Sequence, residues 1–257
     1  MLHSGQRDNQ LKAAAIQFCL RMLITLTIIV VGLWAPWIDF LQVGTKIPLL
    51  EWLALQLSRY GLLSFSVAAP LVLVVGSVVA AIGAAFRIWG SAWLGPATVI
   101  HSQMQAGSVM ADGPYRFVRN PLYQGLGCSV SAVMLLMPPT GALFAGIAMS
   151  LNILGLTLGE EAFLTSQLGA PYQAYLRAVP RFIPRLRGAP PPTGRKPHWL
   201  RAVLSELTPL GIFLAFACLS WRYDYRLIGR AIFVSFGIGL IGRAFVLGNN
   251  KESGATT

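Results

Sequence analysis

The chain has 257 residues, of which 55% are hydrophobic and 11% charged, and it carries a formal net charge of +11. Soluble domains hold about 25% charged residues, so this composition excludes an ordinary soluble globular fold and points to a bilayer. The cationic excess invites a nucleic-acid reading, but the placement of the charges along the chain excludes that too.

Apolar runs predict membrane-crossing helices near 22–41, 67–86, 122–137, 140–158, 203–221 and 231–248, each close to the roughly 18–20 residues that cross hydrocarbon. The first run has too long an apolar core, and no clear small-residue cleavage site, to be a cleavable signal. Residues 47–65 are apolar with Glu51, Gln56 and Arg59 at helical spacing, which predicts a short helix lying in the outer interface. In the second span Gly76, Gly83 and Gly90 repeat every seven residues with Ala80 and Ala84 between them, a stripe for close helix packing. The third span is short and stops at Pro138-Pro139, so spans three and four form a tight hairpin.

Residues 188–197 are too rich in Pro and Gly for a helix and read as a linker ahead of a terminal pair of spans. The polar tail after Asn249 is expected to be disordered. Gly237-Ile238-Gly239-Leu240-Ile241-Gly242 fits the dinucleotide pattern, but it lies inside a span with no preceding strand, so helix packing is the better reading. Cys19, Cys128 and Cys218 sit in or beside three different spans without paired spacing and read as small buried hydrophobes, with no metal site.

The expected fold class is all-α: a polytopic membrane helical bundle of about six spans, including a short helical hairpin, with no Rossmann domain. The expected organisation is an N-terminal span and interfacial helix (1–66), a core (67–187), the linker (188–197), a C-terminal span pair (198–248) and a tail (249–257).

With the N-terminus inside, the inner side collects Arg7, Lys12, Arg21, Arg87, Arg116 and Arg119. It also takes the seven cations from Arg177 to Arg201, then Arg243 and Lys251. The outer side keeps Lys46, Arg59, Arg222, Arg226 and Arg230. That bias is the positive-inside pattern, and it suits contact with anionic headgroups.

Two polar blocks flank the hairpin. The first runs from Gly113 to Gly125 and holds Tyr115, Arg116, Arg119, Asn120, Pro121 and Tyr123. Pro121 fits the first turn of a helix and biases Asn120 away from helical geometry. Free backbone amides beside Arg116 and Arg119 then make an anion site, alternatively an interfacial anchor belt. Gly125 leaves room for close approach. The second block begins with the adjacent acids Glu160-Glu161, which repel one another unless cations neutralise them. Arg116, Arg119, Arg177 or Arg181 would do so structurally, and a bound amine or sulfonium would do so functionally. Downstream, Tyr172, Tyr175, Arg177, Arg181 and Arg185, interrupted by Pro180 and Pro184, form a segment able to fold back over the site.

These ordered motifs resemble the isoprenylcysteine carboxyl methyltransferase and phospholipid methyltransferase family of integral membrane enzymes. Gly113, Tyr115, Arg116, Arg119, Pro121, Tyr123, Gly125, Glu160, Glu161, Leu164, Tyr172, Tyr175, Val179, Pro180 and Arg181 carry the likeness, which reaches weakly back to Arg87 and Gly95. The resemblance implies S-adenosyl-L-methionine as cofactor, held by Val109, Met110, Tyr115, Asn120, Pro121, Tyr123, Gly125, Glu160 and Glu161, with Gly107 and Ser108 adding backbone contacts. Arg119, Arg181 and Glu161 are the catalytic candidates.

Two departures stand out. The family's motif histidine is Asn120 here, which hydrogen-bonds but cannot carry charge or move a proton. Leu156 occupies the place of an arginine that faces the substrate carboxylate in eukaryotic relatives, which argues against prenylcysteine as acceptor. The expected activity is methyl transfer to a membrane lipid or isoprenoid-like acceptor, in a bacterial inner membrane with the site on the cytoplasmic side. The alternatives are an NADPH-dependent sterol or enone reductase and a non-catalytic transporter or scaffold. No nucleic-acid partner is expected, and the oligomeric state is open.

Overall fold

The computed structural model describes Ile16 and residues 20–94, 109–185, 189–192, 194–222 and 224–254. Arg7, Lys12, Cys19, Gly95, Gly107 and Ser108 lie outside the described residues. Every long element among those described is a helix. The first is α1 (Leu20–Leu41), bent where Ala35, at φ 45°, precedes Pro36. It is followed by α2 (Leu49–Arg59), α3 (Phe65–Leu94), α4 (Pro121–Met134), α5 (Pro139–Leu168) and α6 (Ala170–Ala178). The C-terminal part holds α7 (Trp199–Ser205), α8 (Leu207–Leu219) and α9 (Tyr225–Gly254).

Among the described residues four helices are long and apolar enough to cross a bilayer: α1, α3, α5 and the first part of α9. A fifth span is possible if α7 and α8 count as one, although their axes bend by 73° at Glu206. The remaining predicted span, α4, has 14 residues. At 1.5 Å per residue it reaches about 21 Å, short of the roughly 30 Å of hydrocarbon. The open carbonyls at its end are met by α2, because the Leu49 and Leu50 amides donate to Met137 (2.7 Å) and Leu135 (2.9 Å). The predicted interfacial helix therefore caps the short arm of the hairpin, which satisfies backbone groups that lipid would leave unpaired.

The small-residue stripe packs as its spacing predicts. Gly83 and Gly90 face α4, while Gly76 meets Leu135 just past its end and Phe216 of α8; a Cβ at Gly83 would stand 2.6 Å from the Ser129 hydroxyl and 3.0 Å from the Gly125 carbonyl. This close crossing of α3 and α4 is the spine of the bundle. One apolar core joins α1 (Ile29), α3 (Leu73), α4 (Val133) and α5 (Met149) to α8 (Phe216) and α9 (Ile228). Outward faces stay apolar too, as with Leu143, Ile147, Leu151, Leu154 and Leu158 along α5, which is how a helix presents itself to lipid. The glycines of the dinucleotide-like run pack against neighbours, with Gly239 against Thr208 and Gly242 against Leu207.

Two expectations need correction. Cys218 is exposed and Cys128 half-buried rather than buried. In a membrane helix an apolar thiol facing lipid costs no more than one facing the core. The chain beyond Asn249 continues as helix to Gly254 instead of fraying, since α9 carries on into Lys251 and Glu252, both good helix formers.

Candidate functional site

The first polar block folds as a tight entry into α4. Gly113 takes φ 53°, and a Cβ there would fall 2.3 Å from the Trp93 ring, so only glycine fits. A 3-10 turn spans Gly113–Arg116 and buries Tyr115. Asn120 then holds a non-helical backbone (φ −124°, ψ 58°) directly ahead of Pro121, as the proline dictates.

The fold-back segment lies along this entry. The Arg119 amide donates to Pro180 (2.9 Å) and the Arg185 amide to Phe117 (2.9 Å). The Tyr175 hydroxyl donates to the Tyr115 carbonyl (2.8 Å), and the Asn120 side-chain amide donates to the Arg181 carbonyl at 3.4 Å. Arg119 closes the end of α6 by donating to the Leu176 and Val179 carbonyls, a cationic cap on a helix C-terminus.

The adjacent glutamates diverge. Glu161 is buried and accepts from Arg119 (3.2 Å) and from Arg181 (2.7 and 3.2 Å). That ion pair raises the Arg181 guanidinium's pKa further above its already high ordinary value. Glu160 lies one helical step away and lines a cavity of about 630 Å³. There it shares the wall with Tyr123 and with Arg21 of α1, whose positive charge favours the carboxylate.

The cavity gathers most of the predicted cofactor residues. Val109, Met110, Tyr115, Asn120, Pro121 and Tyr123 all line it with Glu160, and so does Arg119. Gly125, Glu161 and Arg181 lie behind the wall: Gly125 sits in the α3–α4 crossing, where a Cβ would meet Arg87 Cγ at 2.7 Å. Leu156 also lines the cavity and packs against Tyr123, so the wall is apolar at that position. From the polar end the cavity runs on between α4, α8 and α9, past Val130, Ile212 and Phe236. It is one continuous chamber with a charged mouth and an apolar depth.

The tyrosines around the mouth are protonated at any physiological pH. Burial, and then the nearby Glu160, push the Tyr115 hydroxyl well above its ordinary value, and burial does the same for Tyr172 and Tyr175. Among the described residues the buried Tyr115 hydroxyl has no hydrogen-bond partner, and neither does that of Ser129 deeper in the chamber.

Sequence reasoning missed Arg21 on α1 and the buried pair of Arg87 with Glu206. Arg87 donates twice to the Glu206 carboxylate, both at 2.8 Å, and it also lines the chamber. The resemblance touched Arg87 only weakly. Nothing local marks Glu206 as its partner 119 residues away.

The fold and chamber define a polytopic helical membrane protein with an internal cavity of about 630 Å³. Residues 71–170, from within α3 through the acidic pair, match the phospholipid methyltransferase family model. The match supports a membrane methyltransferase and gives no support to the reductase or transporter readings. It leaves α1, α2, the start of α3, the rest of the fold-back segment and α7–α9 outside. No curated protein and no solved structure matches the chain.

Proposed function

We propose that this protein is an S-adenosylmethionine-dependent methyltransferase that acts on a lipid or isoprenoid-like acceptor, with the chamber mouth on the cytoplasmic side of a bacterial inner membrane. The observation that carries the reading is the chamber itself. Its polar mouth presents a carboxylate, an amide and tyrosine hydroxyls, and it opens directly into an apolar depth bordered by membrane helices.

The residues present fit the cofactor. A chamber of about 630 Å³ falls in the roughly 300–1,000 Å³ range of small-molecule sites. The Tyr115 hydroxyl is buried and has no partner among the described residues, a cost that a ligand acceptor would relieve. Glu160 supplies negative charge beside it for a cationic group. When bound, S-adenosylmethionine would supply an electrophilic methyl group on a sulfonium.

The chain's own residues do the rest. Tyr115, Asn120 and Tyr123 hold and orient at the mouth, with Glu160 opposite the positive charge. Glu161, Arg119 and Arg181 fix the fold-back segment over the mouth and exclude water from it. Asn120 cannot take a proton, so the reading favours an acceptor that is already nucleophilic when it arrives. Positioning then provides most of the rate enhancement. Leu156 supplies no cation at its own place in the wall, the chamber's cations being Arg21, Arg87, Arg119 and Arg195, and that departure disfavours prenylcysteine.

The test is ligand-dependent stability of detergent-purified protein. S-adenosylhomocysteine is expected to raise the melting temperature and NADPH to leave it unchanged. Stabilisation by NADPH alone would sink the reading. Topology is tested separately with a cysteine at Pro192, an exposed position, after replacing Cys19, Cys128 and Cys218. An impermeant thiol reagent is expected to leave it unlabelled in intact cells.

A further inference from the structure

The deep half of the chamber is built largely from chain outside the family-matched segment. Pro209 and Ile212 of α8 and Phe236 and Leu240 of α9 line it, facing Val130 and Val133 of α4. Leu240 is 59% exposed while lining the chamber, and Leu23 of α1, also on the wall, is 60% exposed. The chamber thus meets the lipid phase between α1 and α9, and an apolar chain from the bilayer is the occupant whose chemistry suits this lining.

What sets the far wall in place is polar. Glu206 is fully buried in the one-residue break between α7 and α8, where the two axes bend by 73°. Its carboxylate accepts from the Nε and one terminal nitrogen of Arg87, whose side chain is 14% exposed. The buried Ser91 and Ser205 hydroxyls pair at 3.0 Å one turn away, and the His198 amide donates to the Ala92 carbonyl at 2.8 Å. A buried ion pair is a poor source of net stability but a strict geometric constraint, because a displaced partner leaves an unpaired charge away from water. The direction in which α8 leaves the break, and so the position of Ile212 and Phe236, is tied to Arg87 on the methyltransferase core.

We propose that α8 and α9 form the wall that selects the acceptor's hydrocarbon chain. In this arrangement the Arg87–Glu206 pair is a positioning clamp that sets the wall against the core. The inference rests on the methyltransferase reading for the word acceptor, and on the chamber alone for the chain.

The experiment uses full-length protein in lipid nanodiscs with diazirine-tipped fatty acids of increasing chain length, and S-adenosylhomocysteine affinity measured beside it. Crosslinks are expected in peptides holding Ile212 and Phe236, with one preferred length. Phe236→Ala should move the preference to longer chains and Phe236→Trp to shorter ones, each with unchanged S-adenosylhomocysteine affinity. Glu206→Gln should blur the preference, and the reversed pair Arg87→Glu with Glu206→Arg should restore it. If Glu206→Gln does not fold, the two Phe236 variants decide alone. Crosslinks confined to outward residues such as Leu214 and Val234, or a preference indifferent to both Phe236 variants, would overturn the proposal. Chain selection without S-adenosylhomocysteine binding would sink the methyltransferase reading and leave the wall standing. Cofactor binding without chain selection does the opposite.

Discussion

Two regions are held against the same helical core by different means. The fold-back segment, residues 170–185, is stitched to the entry loop by many ties: Arg119 to two carbonyls, Tyr175 to the Tyr115 carbonyl, backbone amides at Arg119 and Arg185, and a Glu161 carboxylate shared between Arg119 and the partly exposed Arg181. The C-terminal pair α8–α9 is joined by apolar packing and one buried ion pair, Arg87 with Glu206. Many weak ties tolerate the loss of one, whereas a single buried charge pair does not. The first region therefore tolerates adjustment, as suits a cover over the chamber mouth, and the second does not, as suits a wall.

The largest expected effect follows from that difference. Arg87→Met leaves Glu206 charged and fully buried, and breaking such a pair costs about 3–5 kcal/mol. A steep fall in melting temperature is expected, with partial recovery in Arg87→Met/Glu206→Leu, where no charge remains. If the double variant melts no higher than the single one, the unpaired charge is not the cause and the contrast collapses.

On the other side, Glu161→Leu removes the acceptor shared by Arg119 and Arg181. Arg119 keeps its carbonyl partners, and Arg181 has a side chain 37% exposed and reaches water. After that discount the loss is about 1–3 kcal/mol. Thermal melts should show a smaller drop than for Arg87→Met, and the reverse order would mean that the fold-back segment, not the clamp, is the rigid part.

The same contrast explains what the sequence reveals. The spans, the hairpin turn at Pro138-Pro139 and the Gly76/Gly83/Gly90 stripe are legible because hydropathy and small-residue spacing are local signals. The entry loop is legible because its arginines, tyrosines and Asn120 fall within a dozen residues. Arg87 and Glu206 are 119 positions apart, and each alone reads as a topological charge near a span end. The separate fates of Glu160 and Glu161 were hidden for another reason. Neighbouring helical residues point about 100° apart, and α5 is apolar on nearly every side, so its rotation about its axis has no sequence signature.

That divergence gives the third prediction. Glu160 faces the chamber and Glu161 faces the two arginines, so Glu160→Gln should weaken S-adenosylhomocysteine binding while leaving the melting temperature close to that of the parent. Losing a charge-assisted hydrogen bond costs about 1.5–3 kcal/mol, roughly tenfold or more in affinity. Titration calorimetry on the two glutamate variants side by side reads the difference. Full affinity in Glu160→Gln removes the carboxylate from the cofactor's contacts.

The smallest effect is also the most specific to the mouth. The Tyr115 hydroxyl is buried and lacks a partner among the described residues. Burying an unpaired hydroxyl is unfavourable by roughly 1–3 kcal/mol. Tyr115→Phe keeps the ring that fills this space and deletes the unpaired group, so the ligand-free protein should melt at the same temperature or slightly higher. That sign is opposite to what a structural tyrosine would give, since losing a satisfied hydroxyl lowers stability. If the hydroxyl donates to the cofactor, affinity for S-adenosylhomocysteine should fall by a factor of about two to ten, the range of a neutral hydrogen bond worth about 0.5–1.5 kcal/mol. The two measurements together separate the cases. A lower melting temperature with unchanged affinity would make Tyr115 part of the scaffold, on the side of Tyr175, whose hydroxyl already has the Tyr115 carbonyl as its partner.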